Sequence, residues 1–288
     1  MLFSTNTMIA VDRLGLMEGI KLLFDSGFPA LDLTLYKNNE YIFESGYKTT
    51  AKELMRLAES RGGVFNQAHA PFGGGYDNYV TNLIPTFPRV FEFAGLLGVK
   101  QLIVHPLVKY RHYGHEREHF DMNMEFYSSL IPYSKDTGVK IAIENMWGRH
   151  PVTGRICDSV CSDPDELSRY YDALDMPDVF TVCLDLGHVA ITGREPERAI
   201  SAVGHRLGAI HAHDVDYMTD THTLPGLGGI NWTEVISALA AVGYSGEFTL
   251  EIDNFAKNFD DEYLPVAFKF AADTARYLTQ KLEKCKQK

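Results

Sequence analysis

The hydrophobic positions along the chain follow two alternating patterns. Short apolar runs are typical of buried strands, and longer segments with apolar residues three or four positions apart are typical of amphipathic helices. The short runs predict eight strands, at residues 2–5, 28–35, 64–70, 101–105, 140–144, 180–185, 207–211 and 247–252. The segments between them predict a helix that begins within residues 162–166 and helices at residues 13–26, 49–61, 78–97, 115–137, 196–205, 232–242 and 260–286. Pro85 and Pro88 are expected to kink or break the middle of the 78–97 helix.

The regular alternation of strands and helices predicts a parallel sheet. Eight such units favour a closed α/β barrel, a single (β/α)8 TIM barrel formed by residues 1–288 as one domain, because that fold needs about 250 residues. An open doubly wound sheet usually carries a glycine-rich phosphate loop after its first strand. Here the first strand leads into residues 4–7, which contain no glycine, and the glycines at 73–75 are interpreted as a flexible loop.

The charge balance argues against nucleic acid as a partner. The formal net charge is −11 and the isoelectric point is about 5.4, and an acidic surface repels phosphate backbones. The predicted site loops contain few cations, chiefly Lys109, Arg111, Arg149 and Arg155. We therefore expect a small-molecule substrate.

The chain is predicted to be cytoplasmic and free of membrane contact. No apolar run approaches the ~18 residues of a membrane span, and the amino terminus lacks a signal-peptide pattern. Cys157 and Cys161 lie four residues apart, but no second pair accompanies them at zinc-finger spacing. The four cysteines fit a reducing compartment.

Six consecutive predicted strands each end on a residue that can bind a metal or transfer a proton. A single histidine in an apolar run is more often a core residue, but carboxylates such as Glu144 and Glu251 are costly to bury unless paired or metal-bound. In a parallel barrel these strand ends converge on the face where active sites lie. The six residues are His69, His105, Glu144, Asp185, His211 and Glu251.

Three carboxylates and an imidazole in this set suit one divalent ion, such as Mn²⁺, Mg²⁺, Co²⁺ or Zn²⁺. His188 follows Asp185 by three residues and could contact a substrate hydroxyl or bind a second ion. Phe72, Tyr76 and Trp147 are candidates for an aromatic wall against the apolar face of a sugar.

Five motifs together resemble the xylose-isomerase-like TIM-barrel superfamily: I-E-N, L-D-L-G-H, I-H-A-H-D, L-P-G-L-G-G-I-N-W and L-E-I. That superfamily contains sugar isomerases and epimerases, inosose dehydratases and the endonuclease IV group. Resemblance to the ketose 3-epimerases implies that Glu144, Asp185, His211 and Glu251 hold one metal ion. It also implies that Glu144 and Glu251 form the acid–base pair and that His188 binds a substrate oxygen.

One position departs from the ketose 3-epimerase pattern. Those enzymes carry an arginine three residues before the Pro-Gly of the loop after the seventh strand, whereas this chain has His222. Endonuclease IV relatives have an Asp-x-His there that binds a third ion. The resemblance therefore implies further zinc ligands, or substrate-binding groups together with Trp147, at His69, His105, His188, Asp220 and His222.

The sequence favours a metal-dependent isomerase or epimerase of a sugar or sugar derivative. A metal-polarised carbonyl makes the neighbouring C–H acidic, so that two carboxylates can move a proton through an enediolate. A dehydratase-type lyase on an inosose or keto-sugar would use the same enediolate, and an endonuclease IV-like phosphodiesterase would use the additional histidines. A non-catalytic binding protein is least favoured, and a homo-oligomer is left open.

Overall fold

The computed structural model describes residues 1–37 and 39–287, and within them eight parallel strands close into a barrel. The strands in the described residues are β1 (Phe3–Asn6), β2 (Ala30–Thr34), β3 (Val64–His69), β4 (Gln101–Val104), β5 (Lys140–Glu144), β6 (Trp147–Arg149), β7 (Ile156–Asp158), β8 (Phe180–Asp185), β9 (Leu207–Ala212) and β10 (Phe248–Leu250). Going round the barrel, the strand order is β1-β10-β9-β8-β5-β4-β3-β2, which confirms the predicted (β/α)8 TIM barrel. The remaining two strands, β6 and β7, form a separate antiparallel hairpin.

Eleven α-helices in the described residues surround the barrel or cover its ends. They are α1 (Met8–Leu14), α2 (Leu16–Asp25), α3 (Tyr47–Ser60), α4 (Gly75–Asn78), α5 (Phe87–Leu96), α6 (Glu116–Thr137), α7 (Pro164–Leu174), α8 (Leu186–Ile191), α9 (Pro196–Val203), α10 (Trp232–Ala241) and α11 (Leu264–Lys286). No helix in this part of the chain is both long and apolar enough to cross a membrane.

Most helix predictions need only small changes at their ends, but one is wrong in kind. The single helix predicted at 13–26 is two helices, because Gly15 has a φ of 79° that an α-helix cannot include. The helix predicted at 78–97 is interrupted near its prolines by a π-helical turn (Tyr79–Leu83) and a 3₁₀ turn (Ile84–Thr86). That interruption matches the expected effect of proline inside a helix.

A layer of small and apolar residues fills the barrel directly below the strand ends. Ile103, Ala142, Cys183 and Ala209 form this buried cluster, on the adjacent strands β4, β5, β8 and β9. Residues two apart in a strand face the same side, so the residues two positions further along also point into the barrel axis. Those residues are His105, Glu144, Asp185 and His211.

Candidate metal centre

The six sequence-predicted residues lie together at the carboxyl end of the barrel. His69, Glu144 and Asp185 are the last residues of β3, β5 and β8. His211 lies within β9, whereas the last strand is shorter than predicted, so that Glu251 follows β10 by one residue. The parallel arrangement therefore brings metal-ligand side chains from separate parts of the sequence to one rim.

The central group consists of Glu144, Asp185, His211 and Glu251, all buried, with one ligand atom of each within 4.8 Å of the others. His211 Nδ1 lies 2.7 Å from Glu144 Oε1. It also lies 3.3 Å from Glu251 Oε2 and 3.9 Å from Asp185 Oδ2. The imidazole nitrogen and three carboxylates thus surround one point, as a divalent ion requires.

A second group shares Glu144 with the first. Glu144 Oε2 lies 2.8 Å from His105 Nε2 and 3.4 Å from His69 Nε2. The two histidine Nε2 atoms are 3.1 Å apart. Phe72 covers this group, with its ring centroid 4.2 Å from that of His105. Because its two oxygens point to different groups, Glu144 can bridge two ions.

A third group contains His188, Asp220 and His222, which the sequence predicts, and also His213. Asp220 Oδ2 lies 3.0 Å from His222 Nε2 and 3.7 Å from His188 Nε2. The His213 ring is stacked on the His222 ring at 4.0 Å, and His213 Nε2 lies 3.0 Å from Asp185 Oδ1. Trp147 Nε1 donates to Asp220 Oδ2 at 3.2 Å, so that one of the three predicted aromatic wall residues contacts this group.

The far ring nitrogen of three histidines contacts a backbone carbonyl oxygen. His69 Nδ1 donates to Ala70 O at 2.9 Å, and His188 Nδ1 donates to Asn145 O at 2.9 Å. His222 Nδ1 lies 3.1 Å from the carbonyl oxygen of Glu251. A carbonyl can only accept, so each Nδ1 carries the hydrogen and, in the neutral ring, each Nε2 keeps its lone pair toward the group. Metal-binding histidines are held in this way.

His211 is held from the other side of its ring. Its Nε2 lies 3.3 Å from Asp32 Oδ2, and Gln67 Nε2 donates to the same Asp32 oxygen at 3.2 Å. Asp32 is a buried carboxylate in the middle of β2. A carboxylate–histidine pair of this kind orients the ligand nitrogen and increases its basicity.

The groups strongly perturb one another's pKa values. Burial alone would lower the pKa of His188, but Asp185 and Asp220 outweigh it and raise that pKa to about 10. Burial alone would raise the pKa of Glu144, but the neighbouring His211 holds it well below the usual range. A metal ion must displace protons from such histidines, so its binding weakens as the pH falls.

Two buried carboxylate oxygens in these groups suit the binding of a cation. Asp220 Oδ1 is inaccessible to solvent and accepts no hydrogen bond from the described residues, and the buried Glu144 Oε2 is contacted by the imidazole Nε2 atoms of His105 and His69. A buried carboxylate oxygen without a donor is costly. The three groups contain carboxylate and imidazole ligands only, and these suit zinc, manganese or cobalt. The donor set therefore fits divalent ions.

The loop between β9 and α10 is organised by Asp214, which is fully buried. Its carboxylate accepts hydrogen bonds from Gly226 N at 2.7 Å, Trp232 Nε1 at 2.9 Å and Ile230 N at 3.0 Å. Gly228 packs so tightly here that an added Cβ would lie 2.4 Å from Asp214 Oδ1. These contacts explain the L-P-G-L-G-G-I-N-W motif and fix the loop that carries Asp220 and His222.

Three acidic or imidazole residues at this end were not predicted. His213 follows His211 by two residues, and that spacing was a usable signal because it puts both side chains on one face. Asp32 sits inside an apolar strand, the same signal that identified Glu144. Asp253 contacts Asn6 Nδ2 and accepts from Tyr36 Oη at 3.0 Å. It also forms a further possible ligand group with His222 and Glu251.

The remaining predicted wall residue, Tyr76, lies away from these groups. Its ring faces Lys109, with Nζ 5.1 Å from the ring centroid, in a shallow pocket formed with Tyr110. The glycine-rich segment before it has positive φ at Gly73, Gly74 and Gly75, which glycine adopts readily. Of the three aromatic candidates, Phe72 and Trp147 contact the site.

Comparisons with known proteins agree with the barrel fold. The family model described as xylose isomerase-like TIM barrel matches residues 20–271. An uncharacterized protein of Methanocaldococcus jannaschii is 26% identical over 249 residues, which are 81% of this chain and 82% of that protein.

Several solved structures share the fold over nearly their whole length. A D-tagatose 3-epimerase-like protein has a TM-score of 0.77 at 21% identity, covering 100% of this chain and 99% of the other. D-psicose 3-epimerase of Clostridium cellulolyticum H10 has a TM-score of 0.74 at 18% identity, covering 96% and 99%. 3-Keto-D-glucoside 4-epimerase of E. coli has a TM-score of 0.71 at 15% identity, covering 97% and 98%.

Proposed function

Because the chain belongs to the xylose isomerase-like TIM barrel family, we propose that it is a metal-dependent isomerase or epimerase of a sugar or sugar derivative. The observation that carries this proposal is the central group, in which Glu144 and Glu251 face one point together with Asp185 and His211. The similar structures include a D-tagatose 3-epimerase-like protein and, by their names, epimerases of psicose and of a 3-keto-glucoside. A keto-sugar is therefore the substrate class that we propose.

Glu144, Asp185, His211 and Glu251 would hold one divalent ion, with Asp32 orienting His211. When bound, such an ion polarises the substrate carbonyl and stabilises the negative charge that develops on its oxygen. The burial of all four ligands, each no more than 6% exposed, supports this assignment because it excludes competing water.

Glu144 and Glu251 are the proposed acid–base pair. Glu144 ends β5 and Glu251 follows β10, and these strands lie on either side of β8 and β9 in the barrel. Two carboxylates that approach a sugar carbon from different sides can remove a proton from one face and return one to the other. Burial opposes ionisation of Glu251, but His211 holds its pKa well below the usual range, so that it is available as a base.

A metal-dependent phosphodiesterase is the second candidate function. It is supported by the two histidine-rich groups beside the central one, because three ions held close together can stabilise both the attacking and leaving oxygens of a phosphodiester. His69 and His105 with Glu144 would hold one additional ion, and His188, Asp220 and His222 another. His213 would supply a fourth ligand to the latter, which would then suit tetrahedral zinc.

A substrate screen tests the proposal. The protein, loaded in turn with Mn²⁺, Mg²⁺, Co²⁺ and Zn²⁺, is incubated with keto-sugars, inososes and an oligonucleotide containing an abasic site. We expect conversion of a keto-sugar to its isomer or epimer. Loss of water from an inosose would identify a lyase instead, and cleavage of the oligonucleotide without sugar conversion would identify the phosphodiesterase.

A further inference from the structure

A cleft beside the metal-ligand groups contains none of their residues. It has a volume of about 800 Å³ and is walled by the loop between β4 and α6, the β6–β7 hairpin and the start of α7. Arg111, Arg149 and Arg169 all line it, one from each of these three segments. A volume of this size accommodates a small molecule.

These three arginines carry charge that no carboxylate neutralises. Among the described residues none of Arg111, Arg149 and Arg169 has a carboxylate oxygen within 4.0 Å, whereas many arginines elsewhere are paired, as Arg206 is with Asp172 at 2.7 Å. The chain as a whole carries a net charge of −11. A cluster of unpaired guanidinium groups in an acidic protein points to a ligand that carries negative charge.

Two of the acidic side chains in the same cleft are engaged by cations. Asp158 pairs with Arg194 at 2.6 Å. Glu166 pairs with His112 Nε2 at 3.2 Å and also accepts from Cys161 N at 3.0 Å. Burial alone would lower the pKa of His112, but Glu166 outweighs it and raises that pKa.

The other two acids in the cleft are engaged by backbone N–H groups. Asp163 caps α7 by accepting from the amide of Asp165 at 2.8 Å, and Glu116 accepts from Gly114 N at 3.0 Å. Backbone N–H groups stabilise these two carboxylates without cancelling their charge. What distinguishes the cleft is that its four acids are held by other groups, while its three guanidinium groups have no carboxylate partner among the described residues.

Arg149 connects the cleft to the third ligand group. Its guanidinium carbon lies 5.0 Å from the centroid of the Trp147 ring, and its Nη1 donates to Gly154 O at 3.1 Å. The same Trp147 donates from Nε1 to Asp220 in the third group. One indole ring therefore separates a fixed guanidinium from the metal-ligand residues.

We propose that this cleft binds the anionic group, a phosphate or a carboxylate, of the small molecule on which the enzyme acts. The proposal rests on the proposed function, because the ligand's carbonyl end would lie at the central group while its charged end lies between Arg111, Arg149 and Arg169. Guanidinium groups suit both anions, since their paired N–H donors match two oxygens at once.

Anion binding can be measured without turnover. The metal-loaded protein is titrated calorimetrically with inorganic phosphate and with citrate, first as wild type and then as the double variant Arg111→Gln/Arg149→Gln. Anion contacts with the metal ions are the same in both proteins, so the difference reports the cleft. We expect the double variant to bind at least one of the two anions about tenfold or more weakly. The anion whose affinity falls more shows whether the charged group of the ligand is a phosphate or a carboxylate.

The double variant Arg56→Gln/Arg155→Gln is the matched control. Arg56 is exposed on α3 and Arg155 is exposed between β6 and β7, and neither lines the cleft, so their loss removes the same two charges from the protein. This control variant should bind both anions within twofold of wild type. The proposal is overturned if neither anion binds wild type, or if Arg111→Gln/Arg149→Gln and wild type bind both equally. Unchanged metal content and thermal unfolding would show that the variants are folded.

Kinetics separate this proposal from the proposed function. For a phosphorylated keto-sugar that is turned over, Arg111→Gln/Arg149→Gln should raise KM about tenfold or more with little change in kcat, and the unphosphorylated sugar should be unaffected. Arginine-dependent phosphate binding without any sugar turnover would support the anion cleft and contradict the proposed isomerase activity. Sugar turnover with no arginine-dependent anion binding would support the isomerase activity and contradict the anion cleft.

Discussion

At the scale of single residues, the candidate metal centre consists of buried charged groups that are compensated by one another. Glu144 is shared between two ligand groups, and Asp185 contacts both His211 and His213. Each such side chain is costly to bury alone and becomes favourable only when its partners are present. The site is therefore a cooperative unit, and removing one member affects the others.

Glu247 is a buried carboxylate that this unit does not use. It precedes β10 and is 2% exposed, and only one of its oxygens accepts a hydrogen bond, from Asn66 Nδ2 at 2.5 Å. Burial raises its pKa to about 7, from an ordinary value of 4.5. Between these two pH values the folded protein binds more protons than the unfolded chain, so this residue makes stability fall as the pH rises.

Glu247→Gln should therefore stabilise the protein at alkaline pH. The amide keeps an acceptor for Asn66 and never ionises, so the free energy of unfolding at pH 8 should rise by up to about 3 kcal/mol. The gain should disappear near pH 4.5. Urea denaturation of metal-loaded protein at several pH values measures this effect, with Glu53→Gln, an exposed residue of α3, as the control. Parallel pH profiles for wild type and Glu247→Gln would contradict the assignment.

At the scale of elements, the loop between β9 and α10 decides whether the third ligand group exists. Asp214→Asn replaces a carboxylate that accepts several hydrogen bonds by an amide whose nitrogen can only donate. We expect a loss of about 2–3 kcal/mol in unfolding free energy, since hydrogen bonds to a buried charge are strong. Trp232→Phe, which removes only one of these bonds, should cost about 1 kcal/mol.

The same loop variants should differ in metal content. Asp214→Asn should lower occupancy of the ion proposed at Asp220 and His222 and keep the ion at the central group, whose ligands come from the strands. Elemental analysis of purified protein measures this. Full wild-type metal content together with unchanged stability in Asp214→Asn would show that Asp214 does not organise the loop.

The secondary-structure elements differ in how well the sequence pattern predicts them. Strands β5 and β8 are predicted to the residue, because each is a continuous apolar run that stops at a carboxylate. Helix α8 was missed, since six residues with a glycine among them give no helical period, and its start is fixed by Asp185 accepting from His188 N at 2.6 Å. The β6–β7 hairpin was missed because three-residue strands carry no alternation.

The residues of the candidate site are easier to recognise in the sequence than the residues around it. Strand-end residues such as His69 and Glu144 stand out because a polar side chain interrupts an apolar run. The unpaired state of Arg149 and Arg169 depends instead on where distant carboxylates lie after folding, which no local pattern contains. The anion cleft could therefore be recognised only in three dimensions.

At the scale of the whole molecule, metal binding and folding stability should be linked. The proposed ligands come from strands spread round the barrel, so only the folded chain brings them together. An ion present at 100 times its Kd stabilises by about 2.7 kcal/mol, which for a chain of this length shifts Tm by about 5 °C.

Chelation should lower Tm by at least this amount, and the Tm of Asp185→Ala should respond less to chelation than that of wild type because the variant has already lost the central ion. Differential scanning calorimetry with and without added metal measures both effects. An Asp185→Ala protein that retains full metal occupancy would contradict the central group as the metal site.

Deuterium incorporation during turnover in D₂O is the most direct test of the central claim. If Glu144 and Glu251 move a proton at the carbon next to the substrate carbonyl, product from the wild-type enzyme should carry deuterium at that carbon. Glu144→Gln and Glu251→Gln, each shown to retain its metal, should lower exchange by about 10²-fold or more. Cleavage of an abasic oligonucleotide with no carbon-bound deuterium in any sugar would contradict the account.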